Sequence, residues 1–193
     1  MKQIVGSTAG LTAPRRYRLT VDEYHRMIEA EVFPPDARIE LIEGVLYEMP
    51  PMERPHLLAI RYLTHILAGM AAQDRLQVQL PFILPDDSEP EPDLSVLAPA
   101  TPYDKPTGNQ LVLAIEVSYS SVRFDLRRKA PLYQRARHFD TWVIDIPGER
   151  VVVFPREGGS SVYPRGEGTR LTPRGAEEVS LDIDALFAAI GII

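Results

Sequence analysis

No cysteine occurs anywhere in the chain. That removes disulfides, zinc–thiolate sites, iron–sulfur clusters and thiol nucleophiles from consideration, and it is compatible with a reducing cytoplasm. Long hydrophobic runs are missing too, since none approaches the ~18 residues a membrane helix requires. Residues 1–10 carry one Lys and no long apolar core, unlike a secretory leader. The expectation is a soluble, cytoplasmic protein with no membrane partner. Positive charge is in deficit, with 21 Lys and Arg against 27 Asp and Glu, a formal net charge of −6. Bulk charge therefore does not draw this chain to nucleic acid, although an acidic site neutralised by metal ions remains compatible with a nuclease. There is no glycine-rich phosphate loop, no zinc-protease helix motif and no nucleophile elbow. His25, His56, His65 and His138 lack the close pairing of a helical metal site, and a lone histidine is more often surface or satisfied core than ligand.

What is present suits an ordinary globular domain: 193 residues, 45% hydrophobic and 25% charged. One domain over 1–193 is expected, with 1–14 a flexible arm. Thr20 and Glu23 form a possible capping box, and Val21, Tyr24, Met27 and Ile28 follow at helical spacing, predicting a helix over 20–31. Two apolar runs flank Glu43-Gly44 between Ile39 and Met49, the pattern of a β-hairpin. Leu58, Tyr62, Ile66 and Met70 recur every four residues, predicting the longest helix over 55–72. A strand over 78–84, interrupted by Pro81, is placed at an edge. Further strands are read at 93–98 and 111–119, then a helix over 125–138 with Pro131 in its first turn or at a kink. A hairpin over 141–154, a weak strand at 161–163 and a short helix over 181–190 complete the chain. The pattern is α/β or α+β with a mixed central β-sheet flanked by helices.

Within the 111–119 strand, strict alternation places Leu111, Leu113, Ile115, Val117 and Tyr119 on one face, and Val112, Ala114, Glu116 and Ser118 on the other. A carboxylate in so apolar a run requires a partner. Asp93 opens the preceding strand, and two adjacent strands can bring Asp93 and Glu116 close together. Neighbouring carboxylates repel unless a cation sits between them, and hard oxygen ligands with open water positions suit Mg²⁺ or Mn²⁺. Lys129, on the following helix, could reach back to that site. On spacing alone, ion-paired structural carboxylates are the favoured explanation, since an Asp, Glu and Lys triple occurs often by chance. The stretch 123–137 concentrates Arg123, Arg127, Arg128, Lys129, Arg135 and Arg137 against Asp125 alone. It is either a phosphate-facing patch or a solvated helix face.

Pro92-Asp93 before an apolar strand, followed by Ile115-Glu116-Val117, resembles the core of the PD-(D/E)XK nuclease superfamily. The run from Leu113 to Lys129, with Tyr133 and Thr141-Trp-Val-Ile-Asp145, is similar to the Uma-two family of restriction-endonuclease-like proteins. Arg38-Ile-Glu40-Leu-Ile-Glu-Gly44 and Met49-Pro-Pro-Met52 with His56 resemble the opening segments of the same family. The resemblance implies a restriction-endonuclease-like core in which Asp93, Glu116 and the carbonyl of Val117 bind a divalent metal. The superfamily's usual lysine, two residues after the glutamate, is Ser118 here, and the resemblance moves that role to Lys129. Glu40 and His56 are candidate additions to the cleft, and Arg123, Arg127 and Arg128 are candidate contacts for nucleic acid.

The leading expectation is a Mg²⁺- or Mn²⁺-dependent endonuclease hydrolysing the phosphodiester bonds of DNA. The runner-up is a catalytically inactive module of the same fold that binds nucleic acid or a partner protein. A structural or oligomeric scaffold, suggested by the apolar Val151-Val-Val-Phe154, is the third. A homodimer is compatible with all three, because cutting both strands together takes two sites.

Overall fold

The computed structural model describes residues 15–71, 73–101 and 105–191, so the arm expected at 1–14 lies outside the described residues. Helix α1 (Val21–Glu29) starts at the expected capping box. Thr20 Oγ1 accepts from the Glu23 amide at 3.2 Å, and the Glu23 carboxylate accepts from the Thr20 amide at 2.9 Å. Strands β1 (Ile39–Ile42) and β2 (Val45–Glu48) form the expected hairpin. Its turn residues Glu43 and Gly44 have φ of 50° and 73°, two left-handed positions as in a type I′ turn. Gly44 is also sterically required, since a Cβ there would lie 2.6 Å from the Cβ of Arg18. The hairpin is clipped to the segment 87–89. The Glu43 amide donates to Ser88 Oγ at 2.7 Å, and the amides of Gly44 and Glu89 donate to the carbonyls of Asp87 and Leu41 at 2.8 and 2.7 Å.

Helix α2 (Arg54–Met70) matches the long helix expected over 55–72, with Pro55 in its first turn, where no amide donor is needed. Six strands then build the central sheet: β3 (Leu76–Val78), β4 (Leu94–Leu97), β5 (Leu111–Ser118), β6 (Asp140–Asp145), β7 (Arg150–Phe154) and β8 (Ser161–Pro164), side by side in that order. All neighbours are antiparallel except β5 and β6. A parallel pair needs a crossover, and the helical run 122–136 supplies it. That run consists of α3 (Val122–Phe124), a π-helical turn (Asp125–Lys129) and α4 (Ala130–Ala136). The small pair β9 (Arg170–Leu171) and β10 (Leu181–Asp182) precedes α5 (Ile183–Ile190), which Asp182 caps by accepting from the Ala185 amide at 2.9 Å.

Helices α2 and α5 cover one face of the sheet, packing Ala59, Leu63, Leu67, Leu186 and Phe187 against Leu113, Ile115 and Val117. The other face packs Leu132, Tyr133 and Phe139 against Leu111 and Ala114. Each fully buried side chain of this size contributes roughly 1.5–3 kcal/mol of apolar burial.

Three details depart from the sequence reading. The strand expected over 78–84 occurs as β3, which ends at Val78: Gln79 takes φ of 51° and Pro81 offers no ladder donor. β3 does lie at the edge of the sheet, but Pro81 falls three residues beyond it and interrupts no strand. In β5 the alternation breaks at its start. Val96 pairs with Leu113 but Leu97 pairs with Leu111, so Val112 is an extra, bulged residue. The bulge swaps the first two side chains, sending Val112 to the α2 side and Leu111 to the Ala114 side. Beyond it the strand ends at Ser118, leaving Tyr119 outside and 40% exposed. The crossover also begins before residue 125 and ends at Ala136, where Arg137 turns left-handed at φ 59°. Pro131 causes no break: the π turn closes just ahead of it, with the Ala130 amide bonded to the Asp125 carbonyl five residues back.

Candidate active site

Because Leu94 pairs with Ile115, the antiparallel register sets Asp93 across from Glu116 at the end of β4. Asp93 Oδ2 accepts from the Val117 amide at 2.8 Å, and Oδ1 meets His56 Nε2 at 2.9 Å. The N–H and C=O of one strand residue point to the same side, so the Val117 carbonyl also projects toward the Asp93 side, where β4 has ended. Glu116 Oε1 accepts from the Tyr133 hydroxyl at 2.6 Å and lies 2.8 Å from Lys129 Nζ. The same ammonium donates to Glu40 Oε1 at 3.2 Å and to the Glu91 carbonyl at 3.4 Å. Glu40 Oε2 lies 3.1 Å from the same ammonium, in ion-pair contact with it. Asp93, Glu116, Lys129, Glu40 and His56 thus meet in one cleft, which Val117, Glu91 and Asp125 also line.

The helical run aims three of these groups. An α-helix drifts by about 40° over four residues, whereas the wider π turn between Asp125 and Lys129 turns less per residue and offsets that drift. Asp125, Lys129 and Tyr133 consequently face β5 in line. Asp125 Oδ2 accepts from Ser118 Oγ at 2.7 Å and from Ser121 Oγ at 2.5 Å. Ser118, at the position where the superfamily carries lysine, is therefore spent on Asp125. Sequence reading assigned no role to Asp125, Tyr133 or Glu91. The four-residue spacing 125–129–133 was a usable signal, masked for Asp125 by its basic neighbours.

The cleft carries unbalanced negative charge. Lys129 is 2% exposed, Glu116 3%, Glu40 and Asp125 4%, and Asp93 6%. Burial pushes the Glu116 carboxyl well above the usual carboxylate range; Asp125, Asp93 and Glu40 add to that rise, against the pull of Lys129. Burial also raises Glu91 and Asp125. For Lys129, burial disfavours the charged form, but Glu116, Glu40 and Asp125 outweigh it and raise the amine, so it stays an ammonium at neutral pH. Tyr133 is raised by burial and then by Glu116.

One ammonium among five carboxylates, Glu40, Glu91, Asp93, Glu116 and Asp125, is a donor set that fits a hard divalent cation. The cleft encloses about 40 Å³, room for an ion and a small number of waters. Among the described residues no three His, Asp or Glu side chains are already converged as a ligand set. A cation would therefore draw on two carboxylates, a backbone carbonyl and water, the mixed coordination Mg²⁺ accepts.

The arginines lie elsewhere. Arg123, Arg127 and Arg128 are exposed on the helical run and none lines the cleft. Arg128 is 3.8 Å from Glu43. His25 is paired with Glu89, a satisfied structural role. No helix among the described residues is long and apolar enough to cross a membrane.

A mixed sheet with a parallel pair at its centre, and an Asp, a Glu and a Lys meeting at one end of it, is the architecture of a restriction-endonuclease-like fold. The family model Uma2, described as "Putative restriction endonuclease", matches residues 21–184, and the chain belongs to that family. The fold is similar to a crystal structure described as "a putative nuclease belonging to DUF820" from Anabaena variabilis ATCC 29413. The TM-score is 0.70 at 19% identity, covering 89% of this chain and 99% of that one. No curated protein matches the sequence significantly.

Proposed function

We propose that this chain is a Mg²⁺- or Mn²⁺-dependent endonuclease that hydrolyses phosphodiester bonds of DNA. The observation that carries the reading is the 2.8 Å approach of Lys129 Nζ to Glu116 beside Asp93. It supports a lysine delivered from the crossover helix in place of the strand position occupied by Ser118. Family membership supports the reaction class.

Asp93, Glu116 and the Val117 carbonyl would hold the ion, which supplies Lewis acidity toward a phosphoryl oxygen and a more acidic water. Lys129, held as an ammonium between Glu116 and Glu40, would orient the attacking water by hydrogen bonding and offset charge growing on the phosphorus oxygens. Tyr133 and His56 hold the orientations of Glu116 and Asp93. Glu40 shares Lys129 with Glu116 and limits where the ammonium can swing. Arg123, Arg127 and Arg128 would meet backbone phosphates outside the cleft.

The test is incubation with supercoiled plasmid and single-stranded DNA in Mg²⁺, in Mn²⁺ and in chelator. Cleavage that requires metal and disappears in Asp93→Ala, Glu116→Ala and Lys129→Ala is the expected result. Cleavage that survives all three substitutions would sink the assignment. The competing reading, a non-catalytic module binding nucleic acid or a partner protein, draws on the net charge of −6 and on the engagement of Lys129 by two carboxylates. Metal-independent binding without cleavage of any substrate would establish it.

A further inference from the structure

A second groove continues from the carboxylate cleft. Arg38 and Glu91 line both, and beyond them the walls are mostly apolar, Tyr24, Ile28, Phe33, Pro34 and Pro35 with Glu31 among them, around roughly 700 Å³ of open space. The walls are held from behind: the Tyr24 hydroxyl donates to the Ile39 carbonyl at 2.7 Å, and its ring lies 6.0 Å from that of Phe33. Ile28 is 48% exposed at the rim, an aliphatic side chain given to solvent beside a polar cleft. Arg38 donates to the Pro50 carbonyl at 3.3 Å and forms no ion pair among the described residues. Its guanidinium therefore retains free donors where the cleft passes into the groove.

Resting on the nuclease reading above, we infer that this groove takes an unpaired nucleobase of the strand being cut, one nucleotide from the scissile phosphate. A polynucleotide laid across the carboxylates must leave the cleft. The groove joined to it offers a cation for the next phosphate, then an aromatic and aliphatic wall. Such a wall suits the face of a base, and every base has one. Beyond Arg38 backbone phosphate is disfavoured, because the carboxylate of Glu31 lines that wall. In a duplex the faces are stacked and only the edges are open, so the occupant is a base in a single strand or a locally opened one. One chain then suffices for the reaction, without a partner to cut a second strand.

The experiment measures binding of the full chain, with Ca²⁺ in place of Mg²⁺, to a fluorescent single-stranded oligonucleotide and to its duplex. A parallel series carries 2-aminopurine at one position at a time. The expected result is tighter binding of the single strand by roughly tenfold, with strong quenching at one position. Phe33→Ala removes both effects, and so does Ile28→Ser, a rim substitution whose exposure spares the core. Equal binding of single strand and duplex with no quenched position overturns the inference while leaving the nuclease reading intact. If either variant leaves oligonucleotide binding unchanged but shifts sedimentation from dimer to monomer, the groove belongs to a second copy of the chain and the inference fails. If no oligonucleotide binds and none is cut, the nuclease reading itself fails and this inference with it.

Discussion

Tyr133 donates its hydroxyl to Glu116 Oε1 at 2.6 Å, the same oxygen that Lys129 holds at 2.8 Å. With both groups on one oxygen, Oε2 is left to face the cleft. The ring of Tyr133 is fixed by Phe82 and Phe139, whose centroids lie 5.3 and 5.8 Å away, so the carboxylate is positioned from a rigid aromatic cluster. Tyr133→Phe keeps that packing and removes only the hydroxyl. Its expected effects are a loss of about 2 kcal/mol in urea unfolding, the scale of a hydrogen bond to a charged group, and weaker Mn²⁺ binding by calorimetry. Unchanged Mn²⁺ affinity would mean the hydroxyl serves stability alone.

Lys129→Met leaves Glu116 and Glu40 buried without their cation. Breaking a buried pair from one side costs about 3–5 kcal/mol. Mn²⁺ should return part of that stability, giving a larger metal-induced rise in melting temperature than in the unaltered chain. A rise no larger than in the parent would argue that the carboxylates do not share a metal.

His56 Nε2 lies 2.9 Å from Asp93 Oδ1, and the role proposed for it is to orient that carboxylate. His56→Ala is expected to weaken metal binding by about 10–100-fold, the usual effect of losing a group that orients a ligand. Cleavage at saturating metal should fall much less. Calorimetry alongside a metal titration of cleavage separates the two, and equal loss in both would instead make His56 a participant in the chemistry.

Arg123 and Arg127 are exposed on the helical run and do not line the cleft. Arg127→Ala should weaken DNA binding evenly across sequences and lower the salt slope by about one. A binding isotherm repeated at several salt concentrations reads this directly, and an unchanged slope removes Arg127 from the interface.

Gly44→Ala tests the hairpin turn. A Cβ at φ 73° and 2.6 Å from Arg18 Cβ has nowhere to go, so a loss of about 1–3 kcal/mol is expected in chemical denaturation. Neutral stability would show that the Arg18 backbone can yield.

The parts of the site governed by local patterning were legible in the sequence. Glu43-Gly44 marked the hairpin that carries Glu40, and the apolar run around Glu116 marked a buried strand. The family resemblance added Lys129 in place of Ser118, and the ion pair with Glu116 agrees with that displacement. What escaped depends on strand pairing and on local helix geometry that residue periodicity does not record. The Val112 bulge exists only because β4 and β5 pair with unequal counts, and no single strand records that. Asp125 looked like one acid lost in a basic stretch, because its two serine donors and its alignment with Lys129 arise from a π turn that period counting does not anticipate.

Glu40 reaches the cleft from a two-stranded hairpin that is no part of the central sheet. Such a unit has little stability of its own and persists through its docking: three bonds to residues 87–89, the Tyr24 hydroxyl on the Ile39 carbonyl, Arg135 on Glu43, Ile42 packed in the core and the hold of Lys129 on Glu40. Lying outside the central sheet, it should open and exchange its amides with solvent before β5 does. Each such opening would flood Glu116 and Lys129 with water together, tying the wetting of the cleft to the breathing of one short ribbon.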